Sequence, residues 1–204
     1  MKFDEAIRSI GSGQDIECRP VLEVTRRKLI KLGLLSAVSV IVPRTAFGAL
    51  NDLLNEKRSL RIYNLHTKER AEIVYWQDGH YDTEALQELN HLFRDHYNGR
   101  VKKIDTKLFD YLYAIRQRLQ CDEPYHLISG YRSLATNNRL RRRNKRVAKR
   151  SLHIKGKAAD IRMPGHRIRE LRKIAYELRG GGVGYYPRSH FVHIDVGRVR
   201  FWRS

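Results

Sequence analysis

The stretch that decides the fold is residues 151–161, SLHIKGKAADI, read together with residues 191–195, FVHID. In a strand successive side chains point to opposite faces, so His193 and Asp195 share one face while Val192 and Ile194 enter the layer behind it. Asp160 sits in a second short strand beside Ala158, a side chain small enough to let an ion approach the sheet. Gly156 permits the turn that returns the chain from His153 to Asp160. Two imidazoles and one carboxylate at these spacings suit a zinc ion: His153, Asp160 and His193 supply three ligands and leave a fourth tetrahedral position for water.

Working outward, residues 59–76 (SLRIYNLHTKERAEIVYW) hold two apolar, β-branched runs around the polar turn at 66–69, a β-hairpin pattern. Thr83 is the expected N-cap of a helix that places Leu86, Leu89, Leu92 and Phe93 on one stripe. A second helix is expected over about 105–120, with Leu108, Leu112, Ile115 and Leu119 inward. YHLISGYRS after Pro124 reads as a strand ending in a turn, followed by a polar helix from Asn137 to about Asn144. Residues 157–163, 183–186 and 191–196 are expected strands, and 167–178 a helix. The glycines at 180–182 and Gly184 end that helix and begin a strand; a phosphate-binding loop would need a Lys and a Ser or Thr that are absent here. The sum is an α+β fold, a small antiparallel sheet carrying the zinc site and flanked by helices.

The front of the chain has a different character. Arg26 and Arg27 precede the apolar run LGLLSAVSVIV, and small residues at Ala46 and Gly48 follow it. The run is shorter than the roughly 20 apolar residues a bilayer core requires, so a signal peptide is expected over residues 1–48, with a mature domain at 49–204 that has no stable membrane span. Paired arginines resemble the signal of the twin-arginine translocation machinery, which implies export to the periplasm. With Cys18 in the removed segment, no disulfide is expected.

The chain carries 41 Lys and Arg against 22 Asp and Glu, a formal net charge of +19. Residues 1–48 hold eight of the basic residues and five of the acids, leaving 33 against 17, or +16, on the mature domain. A field of that sign attracts polyanions. Export removes nucleic acid from contention and favours the carboxylate-bearing stems of peptidoglycan. The densest basic run, residues 139–150 (RLRRRNKRVAKR), is either a solvated face or a docking surface for an anionic substrate.

At SGYRS, SLHIKGKAAD and GGVGYYPRSHFVHID, and at YNLHTKE near the start of the domain, the chain resembles the LAS superfamily of zinc peptidases, and within it the YcbK-like murein endopeptidases. That resemblance implies zinc on His153, Asp160 and His193, a cross-linked peptidoglycan stem as substrate, and the L,D-bond between two diaminopimelate residues as the target. It implies that Arg132 steadies the negative charge developing on the scissile carbonyl and that Ser151 helps to position substrate. Many D-alanyl-D-alanine peptidases of the superfamily place a catalytic carboxylate three residues before the last zinc histidine, where this chain has His190. The general base is therefore open between Asp195 and His190, with Asp195 alternatively a carboxylate that orients a zinc histidine. Competing readings are a non-catalytic, zinc-stabilised peptidoglycan-binding module and a D,D- or L,D-carboxypeptidase acting on stem peptides. A monomer satisfies every feature of the sequence. The remaining histidines, His66, His80, His91, His96, His126 and His166, are expected to be structural.

Overall fold

The computed structural model describes residues 57–145 and 147–204; the expected signal segment, with Arg26, Arg27 and Cys18, lies outside the described residues. In chain order the elements are β1 (Lys57–Asn64), β2 (Arg70–Gln77), β3 (His80–Tyr81), α1 (Thr83–Leu92), α2 (Thr106–Leu119), β4 (Tyr125–Ser129), α3 (Leu134–Arg143), a 3-10 turn (Leu152–Lys155), β5 (Ala158–Arg162), α4 (Ile168–Leu178), β6 (Gly182–Tyr186), β7 (Phe191–Asp195) and β8 (Arg200–Arg203). The strands form a single sheet of order β3-β2-β1-β4-β5-β7-β6-β8. The architecture is α+β, as the sequence pattern implies.

The part of the sheet beneath the metal-ligand candidates is antiparallel: β5 pairs with β7, and β7 with β6. Two parallel joins, β1 with β4 and β6 with β8, extend it at either side. Parallel strands need a crossover between them, and α1 and α2 provide the first.

Strand parity divides the sheet into a packed face and a working face. Ala159, Ile161, Val183, Val192 and Ile194 all point to one face, at 0–1% exposure, and join Leu171, Ala175 and the α2 side chains Leu108, Leu112 and Ile115 in the core. Each fully buried Val, Ile or Leu contributes roughly 1.5–3 kcal/mol relative to exposure. The Tyr111 hydroxyl donates to the Ala175 carbonyl at 2.7 Å and ties α2 to α4. The opposite face carries Asp160, His193 and Asp195, because the register pairs Asp160 with His193 and His193 with Gly184.

Several local boundaries differ from expectation for identifiable reasons. The N-cap of α1 is Asp82, whose side chain accepts from the Ala85 backbone N–H at 3.0 Å, so Thr83 is the first helical residue. Helix α3 starts three residues earlier than its polar pattern suggests, because Ser133 caps it by accepting from Thr136 N–H. Helix α4 ends on Arg179 in the left-handed region (φ 53°), with no glycine at that position. The glycines after it answer a different need: a Cβ on Gly181 would lie 1.9 Å from the Asp195 carbonyl oxygen.

Candidate active site

His153 is placed by a short turn with a cap at each end. The Ser151 Oγ accepts from His153 N–H at 3.3 Å, and Gly156 closes the turn at φ 67°, where a Cβ would stand 2.6 Å from the Lys103 carbonyl oxygen. The His153 ring then donates from Nδ1 to the Gly130 carbonyl at 2.7 Å. That bond fixes the tautomer and turns the Nε2 lone pair towards the sheet. Strand β7 brings His193 to the same point in the opposite protonation pattern, its Nε2–H donating to Asp195 Oδ2 at 3.0 Å and its Nδ1 facing inward.

Three donor atoms converge as a result. His193 Nδ1 lies 2.8 Å from Asp160 Oδ1, and His153 Nε2 lies 3.2 Å from the same oxygen and 3.1 Å from His193 Nδ1. A tetrahedral ion with ligands at about 2.0–2.1 Å separates its donors by roughly 3.3 Å, so these side chains already stand at nearly the spacing that such an ion requires. Both imidazoles have their remote nitrogens anchored and their lone pairs directed at one point beside a carboxylate. That donor set fits a divalent cation, and among the described residues these three form the one His, Cys, Asp and Glu cluster able to hold it.

The electrostatics agree with this geometry at His153 and Asp160. Burial, followed by the nearby Arg132 charge, lowers the His153 pKa to about 4, which keeps the ring neutral and available as a ligand. Burial pushes the Asp160 carboxyl up, but the electrostatic pull of the adjacent His153 and Arg132 and the imidazole hydrogen bonds outweigh it and hold the group well below the usual carboxylate range. For His193 burial acts downward, and hydrogen bonds to Asp160 and Asp195 reverse it and raise the pKa.

Arg132 stands directly against this cluster. Its Nε donates to Ser129 Oγ at 2.8 Å, its Nη2 donates to Asp160 Oδ2, and Nη2 also lies 3.1 Å from His153 Nε2. The backbone around it is clamped by the loop after α1. Tyr131 N–H donates to the Phe93 carbonyl at 2.7 Å, Ser133 N–H to Asp95 Oδ2 at 2.8 Å, and Asn98 Nδ2 to Ser133 Oγ at 2.8 Å. A Cβ on Gly130 would approach the Phe93 carbonyl oxygen to 2.4 Å, so glycine is required for that contact.

The two candidate proton acceptors occupy other positions. Asp195 is fully buried behind the His193 ring, and its two oxygens accept from His193, from both Arg200 Nη atoms (3.0 and 2.7 Å), and from the backbone N–H of Gly182 (3.2 Å) and Gly197 (2.8 Å). These bonds overcome the cost of burial and hold its pKa down at about 2. His190 is exposed on the β6–β7 turn at φ 53°, and it does not line the cavity that opens over the cluster.

That cavity, about 1330 Å³, has His153, Asp160, His193 and Arg132 at its base and Ser151 in its wall. Trp202 and Tyr186 also line it; Trp202 donates from Nε1 to the Tyr186 hydroxyl at 3.0 Å, and its ring sits 5.2 Å from that of His193. Sequence reasoning misses Arg200, Gly130 and Asp95 as supports of the site. The nearest signal was the pair of glycines at 182 and 184: a Cβ at Gly182 would strike the Asp195 carboxylate and the Arg200 guanidinium at 2.4–2.8 Å, and one at Gly184 would strike the Trp202 ring at 2.6 Å.

Comparison with known proteins gives a consistent picture. Residues 53–202 match the family model described as peptidoglycan L,D-endopeptidase MepK. The chain is 45% identical over 180 residues to the peptidoglycan L,D-endopeptidase MepK of Escherichia coli strain K12, covering 88% of this chain and 98% of that protein. The same figures hold for the protein of that name from Shigella flexneri. A probable peptidoglycan L,D-endopeptidase MepK from Haemophilus influenzae is 36% identical over 184 residues, covering 90% of this chain and 98% of that protein.

Proposed function

The chain belongs to the MepK family of peptidoglycan L,D-endopeptidases, and from that premise we propose that its cavity hydrolyses the L,D-amide joining two diaminopimelate residues of cross-linked stems, with zinc held by His153, Asp160 and His193. The chain is a metallopeptidase-type hydrolase acting on peptidoglycan, outside the cytoplasm. The observation that carries the assignment of ligands is the convergence of His153 Nε2, His193 Nδ1 and an Asp160 oxygen at the base of the cavity. With three protein ligands and no fourth among the described residues, the arrangement supports an open, catalytic centre over a closed structural one.

The chemistry that zinc brings to such a ligand set is acidification of a water to a pKa near 7 and polarisation of a carbonyl. The protein's own groups do the rest. Arg132, held by Ser129 and Asp160, presents its guanidinium where negative charge develops on the scissile carbonyl oxygen. Ser151 offers its hydroxyl from the wall, and its position is set by the bond it accepts from His153 N–H. Asp195 orients His193 and reinforces its basicity as a ligand; an oxygen pair already taking five hydrogen bonds has no free lone pair directed into the cavity, which argues against a role as general base. Trp202 and Tyr186, joined by a hydrogen bond, wall the cavity on one side.

Residues 25–48 support periplasmic delivery by the twin-arginine route. Among the described residues no helix is long and apolar enough to cross a membrane. Export is tested by changing Arg26 and Arg27 to Lys together, which should leave the protein in the cytoplasm.

The decisive test incubates the purified protein with cross-linked muropeptide dimers of both linkage types, with zinc or with a chelator, and reads products by mass spectrometry. Chelator-sensitive conversion of the L,D-linked dimer to monomers is expected. A His153→Ala protein that cleaves normally would sink the ligand assignment.

A further inference from the structure

Hydrolysis accounts for the floor of the cavity and leaves its rim unexplained. Three separate segments form the walls: the loop leading to the 3-10 turn, the β6–β7 turn, and the end of β8. Arg150, Arg188 and Arg203, one from each segment, line the cavity there. Arg132 and Arg200 also line the cavity, but they are engaged by Asp160 and Asp195. The other three are exposed, and among the described residues none of them forms an ion pair; Arg203 lies 6.0 Å from the centre of the Tyr185 ring. Among the described residues Asp160 is the sole acidic side chain lining the cavity, and Arg132 and the two imidazoles already occupy it. Like-charged guanidinium groups around one opening repel one another, and an anion between them relieves that repulsion.

The walls are also held in place. Buried Asn137 donates from Nδ2 to the Ala148 carbonyl at 3.1 Å and fixes the loop that carries Arg150. The Tyr186 and Phe191 rings stack at 4.4 Å across the base of the turn that carries Arg188.

An L,D-amide between two diaminopimelate residues places the scissile nitrogen on a D-configured carbon that bears its own free carboxylate. When the scissile carbonyl lies against Arg132, that carboxylate is only a few bonds away, within the same opening. We infer that Arg150, Arg188 and Arg203 form a carboxylate-binding collar that selects cross-linked stems in which the carboxyl group on the carbon next to the scissile nitrogen is free. This inference rests on the endopeptidase reading. A guanidinium pairs a carboxylate through two parallel N–H···O bonds; a carboxamide at the same carbon carries no charge and turns an NH2 donor towards donors. Discrimination falls mainly on KM, since the carboxylate takes no part in the bond change and the collar holds it alike in substrate and transition state.

The test uses two synthetic cross-linked dimers that differ only in carboxylate against carboxamide at that carbon. Wild-type protein, zinc-loaded at pH 7, should prefer the carboxylate dimer by at least tenfold in kcat/KM. An R150Q/R188Q/R203Q variant should reduce the preference to within about twofold by raising KM for the carboxylate dimer, while R118Q/R169Q, which removes two exposed charges elsewhere, should keep it. R188Q alone, checked by circular dichroism, should give an intermediate preference and serves if the triple variant is poorly folded. Equal kcat/KM for the two dimers in the wild type, or an undiminished preference in the triple variant, overturns the collar. If the zinc-loaded wild type cleaves neither dimer, the endopeptidase reading fails by itself. Binding of both dimers to His153→Ala protein, measured by titration calorimetry, then decides the collar separately: a tenfold tighter carboxylate dimer supports it, and equal affinity overturns it.

Discussion

Replacing Asp195 with Asn separates a proton acceptor from a group that orients a ligand, because the two roles predict different losses. In the native site Oδ2 accepts from His193 Nε2–H at 3.0 Å and from Arg200 Nη2 at 2.7 Å, while Oδ1 accepts from Arg200 Nη1, Gly182 N–H and Gly197 N–H. Asn can keep its oxygen on the two backbone donors, but its NH2 then faces the donors of His193 and Arg200. Two charge-assisted bonds are lost, each about 1.5–3 kcal/mol. The Arg200 side chain is 38% exposed and can turn to water, which offsets part of the loss. The expected destabilisation is about 3–5 kcal/mol, the range for breaking one side of a buried pair. For a domain of this size each kcal/mol lowers Tm by roughly 2–4 °C, so the melting point should fall by roughly 6–20 °C.

The effect on metal follows from the same bond. Loss of an orienting carboxylate typically weakens metal affinity 10–100-fold. Zinc affinity would be measured by competition with a chromophoric chelator, and kcat at saturating zinc on the cross-linked dimer. Weakened zinc binding with most of kcat restored by excess metal is expected. Native zinc affinity with kcat reduced on the order of 10²–10⁴-fold at saturating metal, the contribution of a general base, would refute the reasoning and make Asp195 the proton acceptor.

Arg132→Ala should lower kcat on the order of 10²-fold or more at saturating zinc, as loss of a donor to a developing oxyanion does, and steady-state kinetics measures it. Burial acts upward on Asp95, but hydrogen bonds from Thr136 and Ser133 outweigh it and hold its pKa below the ordinary 3.8. The stability it confers is present above that value and is lost as pH falls through the folded pKa; thermal melts from pH 7 to 3 should therefore show Asp95→Asn with a lower Tm at neutral pH and a shallower acid decline than wild type. Gly184→Ala places a methyl group where a Cβ meets the Trp202 ring at 2.6 Å. Overpacking of this kind costs about 1–3 kcal/mol, and Trp fluorescence and activity should change together.

The convergence of His153, Asp160 and His193 was legible in the sequence because its information is local. His153, Gly156 and Asp160 fall within one turn and one strand, and parity alone puts His193 and Asp195 on a common face. The partners of Asp195 were not legible, since they are Arg200 and the backbone of Gly182 and Gly197. Arg200 belongs to β8, four residues, RFWR, that no strand expectation covered: an exposed edge strand buries too little to impose an apolar alternation. The parallel joins of β1 with β4 and of β6 with β8 escaped for a related reason, since pairing across a crossover leaves no mark on the pattern of either strand. At the start of α1, Asp82 and Thr83 are both capping residues, and only the bond from Ala85 N–H distinguishes them.

The arginines of the cavity divide into two populations that salt should separate. Arg132 and Arg200 are paired with carboxylates at 7% and 0% exposure, where solvent ions penetrate little. Arg150, Arg188 and Arg203 stand in water at the rim, where the Debye length shrinks from about 10 Å at 0.1 M salt to about 3 Å at 1 M. Raising salt therefore weakens capture of an anionic stem before it disturbs the geometry around the scissile bond. In kinetic terms KM for the carboxylate dimer should rise with ionic strength while kcat holds, and the carboxamide dimer should show the smaller rise. A kcat that falls in step with KM would mean that the rim arginines also support the reacting atoms, and the separation of floor from rim would fail.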